Sequence, residues 1–168
     1  MLFENAYDLL SGVWLGSYDA YALAKGIGYP MFLVLAKKLC LPYSVLLALL
    51  QAVGAWLFVR ALSVRWKNPY GQTLLYLLLL FSPISLTQLV TQRLYRMAIV
   101  PGMVLVVFSG MIGLTLRKEL PLKKQLPWAV LTGMALAFFW QIREDSVWIL
   151  PFIAVMTVWN VGYVILAL

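Results

Sequence analysis

The chemistry open to this sequence rests on Asp19, Lys25, Arg93, Arg96, Arg143, Glu144 and Asp145. Arg93 and Arg96 are three apart, so on a continuing helical turn both project from one face, with Tyr95 between them. Two planar guanidinium forks suit a phosphate or pyrophosphate, because each offers two parallel charge-assisted hydrogen bonds. Two plainer fates are open to the same pair: snorkelling to lipid headgroup phosphates, or ion pairing with Glu144 and Asp145.

Arg143, Glu144 and Asp145 form a compact charged tip between Trp140 and Trp148. Adjacent carboxylates in a water-filled vestibule can hold a divalent cation, magnesium or manganese, or take a proton from a hydroxyl. As a solvated hairpin turn, the same three charges simply compensate one another. The apolar stretch before the tip, 127–142, is about 24 Å long as a helix, short against a hydrocarbon core of about 30 Å. The run Lys25-Gly-Ile-Gly-Tyr-Pro30 sets a cation and flexible backbone ahead of a helix. That suits a phosphate at the helix start, or equally a glycine-permitted turn into a proline-initiated helix. Asp19 is a further carboxylate on this side, and Asp8 reads as the solvated face of a surface helix.

The elements that must position these groups belong in a bilayer. The chain has 168 residues, 64% hydrophobic and 11% charged, with a mean hydropathy of +0.91, far from a soluble domain's make-up. With no histidine and one cysteine, histidine triads, histidine relays, an internal disulfide and thiolate metal clusters are all excluded. The net charge of +7 is read as membrane topology and attraction to anionic lipid, not as nucleic-acid binding.

Spans are expected at 43–62, 72–90, 98–116, 127–141 and 147–168. They follow a mixed segment, 1–41, that lies on the membrane surface and includes a short helix starting at Pro30. The division is thus a juxtamembrane segment, 1–41, and a five-span region, 42–168. Pro83 and Pro101 are expected to kink their spans, with neighbouring helices or Ser82 and Ser85 taking up freed carbonyls. Gly102, Ser109, Gly110 and Gly113 form a small-residue face for close helix packing. Tryptophans 56, 66, 128, 140 and 148 sit mostly at span ends, where indole favours the headgroup layer.

One set of alternate loops, 63–71 and 117–126, holds Arg65, Lys67, Arg117, Lys118, Lys123 and Lys124, and is assigned to the cytoplasm. Residues 1–41, 91–97 and 143–146 are then external, and every acid except Glu119 lies on that side. The opening carries no signal-peptide pattern, and the last span runs to Leu168 without a polar flank. Both ends read as those of a fragment of something longer.

Ser11-Gly-Val-Trp-Leu-Gly16, followed by Lys25-Gly-Ile-Gly-Tyr-Pro-Met-Phe32 running into a short helix and the first full span, resembles the first external loop of the GT-C class of integral-membrane glycosyltransferases. Phe81-Ser-Pro83, Arg93-Leu-Tyr-Arg96 and Trp140-Gln-Ile-Arg-Glu-Asp-Ser-Val-Trp148 are similar to positions in a bacterial GT-C-like membrane family, and the resemblance extends along the whole chain. It implies an all-α, polytopic transmembrane bundle in a bacterial plasma membrane, truncated to its N-terminal half, with a polyprenyl-phosphate sugar as donor and inverting transfer on the outer face. On that basis Glu144, Asp145 and Asp19 are the catalytic candidates, with Glu144 and Asp145 also the metal candidates. Lys25, Arg93, Arg96 and Arg143 would bind the lipid phosphate. The acidic motif usual in the class follows a first span that would precede Met1, so Asp19 does not simply replace it.

A reading from another class is a non-enzymatic membrane component, either a carrier of lipid-linked intermediates or a scaffold with a protein partner, or an inactive truncated relative. An ion transporter suits the sequence less well, because no acid or histidine falls in the middle of an expected span.

Overall fold

The computed structural model describes residues 2–12, 27–83, 96–142 and 146–166, and every regular element among them is helical. The helices are α1 (Leu2–Leu10), α2 (Gly28–Lys38), α3 (Tyr43–Leu62), α4 (Pro69–Leu80), α5 (Val100–Leu116), α6 (Leu122–Ile142) and α7 (Leu150–Leu166). Single 3-10 turns, Arg96–Ile99 and Ser146–Ile149, lead into α5 and α7. Two stretches among the described residues are long and apolar enough to cross a membrane, Tyr43–Leu62 and Met97–Leu116, and Val147–Val158 is a shorter apolar helix.

The centre of the fold is the contact between α3 and α5. Their residues meet in ascending order: Leu50 beside Gly102, Gly54 beside Gly102 and Leu105, and Ala61 bonded to Arg117. The two helices therefore run parallel. Small residues allow the approach: a Cβ on Gly54 would lie 2.9 Å from the Gly102 carbonyl oxygen, and one on Gly102 would lie 2.8 Å from Leu50. The Ser109 hydroxyl, fully buried, lies within 3.4 Å of the Gly54 carbonyl and bonds back to Leu105. Helix α6 returns antiparallel to α5, seating Thr132 against Gly110 and Trp128 against Gly113. The small-residue face expected from the sequence is thus a packing surface used on two sides.

Helix α2 ends in a Schellman turn. Leu41 N–H donates to Ala36 O and Cys40 N–H to Lys37 O, with Cys40 in the left-handed region at φ 52°. Pro42 follows and α3 begins. Helix α4 starts at Pro69, with Asn68 accepting from Tyr70 N–H.

Three sequence expectations are corrected. The second expected span starts earlier, at Pro69, and its first helix stops at Leu80 just ahead of Pro83. Leu79 O, four residues before Pro83, has no proline N–H to bond, and Gln51 of α3 supplies the donor through Nε2 at 2.8 Å. A neighbouring helix therefore answers the break, as anticipated, through a residue the sequence had not singled out. The short helix of the first segment opens at Gly28, with Pro30 already inside it and buried. The helix of the fourth expected span begins at Leu122, taking in Lys123, Lys124 and Pro127. Its 21 residues make about 31 Å of helix, of which the apolar stretch 127–142 is the part beyond Lys123 and Lys124.

Candidate functional site

Asp19, Lys25, Arg93, Arg143, Glu144 and Asp145 lie outside the described residues, and Arg96 opens the 3-10 turn before α5. What the structure does place is the residues that anchor these charged segments. Gly28, three positions after Lys25, touches the last turn of α6: a Cβ there would sit 2.9 Å from Gln141 C and Ile142 N. Ala98 and Ile99, just after Arg96, belong to one buried cluster with Phe32, Phe139, Ile142 and Ile149. Ile142 and Ile149 flank the Arg143–Asp145 tip on either side. Described residues next to three charged stretches far apart in sequence therefore meet in a single apolar knot at one end of the bundle.

The knot is tied to the start of α3 by aromatics. Tyr29, 1% exposed, donates from its hydroxyl to Tyr43 Oη at 3.3 Å. Tyr43 also meets Phe32 edge-on at 6.0 Å between centroids. Burial pushes the Tyr29 phenol above its usual range, against the opposing pull of the Tyr43 bond. Trp148 stands edge-on between Phe139 and Phe152, at 5.9 and 6.4 Å. Below the knot, a groove of about 370 Å³ runs between α3, α4 and α5, lined by Gln51, Leu79, Ser82, Val100, Pro101 and Trp148 among others.

Comparison with known proteins finds no matching family model, curated relative or solved structure. The assignment of chemistry therefore rests on the residues and the placement of their anchors. Among the described residues, no three acidic or thiol side chains gather as a metal site.

The residue that sequence reasoning missed is Arg117. Read as one of the loop bases that set topology, it is in fact buried at 7% exposure. Its Nη1 donates to Ala61 O and Gly113 O, both at 3.1 Å, and its Nη2 to Arg60 O at 2.8 Å. The guanidinium also lies 4.2 Å from the Trp128 ring centroid. It satisfies carbonyls at the C-termini of two parallel helices, which have no intrahelical donors of their own. Burial first, and the neighbouring Arg60 charge second, lower its pKa, yet arginine remains protonated in proteins. Trp128, expected in the headgroup layer, packs against Arg117 and Gly113. The only signal in the sequence is that Gly113 and Arg117 are one helical turn apart.

Proposed function

We propose that this chain is the membrane-embedded portion of a polytopic helical protein that binds a lipid-linked phosphate or pyrophosphate at one membrane face. In keeping with its GT-C resemblance, it would use the sugar-bearing form as donor for glycosyl transfer. The observation that carries the reading is the common anchorage of the Lys25, Arg96 and Arg143–Asp145 segments in one buried knot. Cations and carboxylates delivered to one end of a bundle are what a phosphorylated donor and a hydroxyl acceptor require.

The bilayer setting is supported by the outward faces of the helices. Trp56 on α3, Leu74 and Leu78 on α4, Val130 and Met134 on α6, and Phe152 and Val155 on α7 are all exposed. Apolar surface on so many helices at once suits lipid. With 63–71 and 117–126 on the cytoplasmic side, the knot and its charged segments face outward.

In the reaction, a carboxylate of Glu144 or Asp145 takes the proton of the acceptor hydroxyl. The freed oxygen attacks the sugar's anomeric carbon, whose bond to the phosphate oxygen breaks with its electron pair. Polyprenyl phosphate leaves, its charge held by Arg93, Arg96, Arg143 and Lys25.

The test is binding of a polyprenyl-phosphate analogue to the full chain in detergent, with Arg93 and Arg96 both changed to Gln. Loss of at least tenfold in affinity is expected; unchanged affinity sinks the assignment. A sugar-release assay then separates the enzyme from the carrier. Liberation of polyprenyl phosphate only when an acceptor is present marks transfer, and binding without release marks a carrier.

A further inference from the structure

Gln51 carries a second, unspent function. It is 6% exposed, and its Nε2 is committed to the Leu79 carbonyl that Pro83 leaves without a donor. Its Oε1 has no hydrogen-bond partner among the described residues. By helix rise Gln51 is about 12 Å along α3 from Tyr43, and Leu79 about 15 Å along α4 from Pro69. The pair therefore lies near the middle of the bundle, where an unmet acceptor is costly. The amide borders the 370 Å³ groove, whose other walls include Val100, Pro101, Val104 and Trp148.

We propose that this groove binds a neutral long-chain alcohol. Its hydroxyl donates to Gln51 Oε1 and its hydrocarbon body lies along Pro101 and Trp148. A bare cation fits poorly, because no carboxylate lines the groove among the described residues and one amide oxygen does not replace a hydration shell. A lipid phosphate fits no better: its charge stays at the surface, and its chain has no donor for the amide. The inference rests on the groove alone and stands whether or not the outer charges hold a phosphate.

The experiment uses the full chain in detergent, with tryptophan quenching by a bromine-tipped dodecanol and by the matching dodecyl methyl ether, which lacks the donor. In the unaltered protein the alcohol is expected to quench at about tenfold lower concentration than the ether. Trp148→Phe should remove that component, and Gln51→Met should bring the alcohol back to the ether's concentration. Equal quenching by both compounds in the unaltered protein overturns the proposal, since it leaves only solvent or nonspecific partitioning in the groove. A preference that survives Gln51→Met also overturns it. The ether comparison is decisive by itself should Gln51→Met fail to fold.

Discussion

The two ends of the bundle handle charge in opposite ways. At the Arg117 end, a guanidinium is folded into the protein, bonded to three backbone carbonyls and covered by Trp128. At the Gly28 end, apolar residues form the knot, and the charged stretches start beyond it. A cation whose hydrogen bonds all go to the backbone holds helices together and has little left for a ligand. The first end is built for stability; the second is where the proposed binding falls.

Arg117→Met is the hardest test of that contrast. It leaves the carbonyls of Ala61 and Gly113 without their donor and that of Arg60 with only the Ser63 hydroxyl, which should cost about 2–3 kcal/mol. The thermal midpoint in detergent should fall by roughly 4–12 °C, while the folded protein keeps its affinity for a polyprenyl-phosphate analogue. Loss of affinity without loss of stability would show that the two ends are not divided in this way.

Gly28→Ala probes the other end. The new methyl meets backbone atoms of Gln141 and Ile142 that cannot step aside, so overpacking of about 1–2 kcal/mol is expected. Because the clash lies where two charged segments are anchored, affinity for the lipid analogue should fall more than that loss of stability would cause. A calorimetric midpoint and a binding isotherm on the same preparation decide the matter.

The smallest effect belongs to the turn between α2 and α3. Cys40 is held at φ 52°, where a Cβ is strained and glycine is not. Cys40→Gly should therefore stabilise by about 1 kcal/mol and leave affinity for the lipid analogue unchanged. A lowered midpoint would mean that the exposed thiol makes a contact worth more than the strain.

The sequence makes some of this legible and hides the rest for physical reasons. The bounds of α3 can be read directly, because a long and mostly apolar run follows Pro42. Gly102, Gly110 and Gly113 identify themselves as a packing face by spacing. The start of α6 was obscured because Lys123, Lys124 and Pro127 look like loop and boundary residues, although the first turns of a helix accept all three. Gln51 answering Pro83 and Arg117 reaching Ala61 are contacts across 28 and 56 residues, and no local period reports them. The charged segments were legible as residue types, but their shared anchor depends on how α2 and α5 meet the end of α6.

The parallel run of α3 and α5 has an electrostatic consequence. Peptide dipoles in neighbouring parallel helices add, so their C-termini together present about one negative elementary charge at one end, and their N-termini the matching positive charge at the other. Arg117 neutralises the negative pole. The positive pole falls beside the knot, where Tyr43 and Val100 begin the two helices. Through the low-dielectric interior, the backbone itself draws anions toward the end where the knot lies.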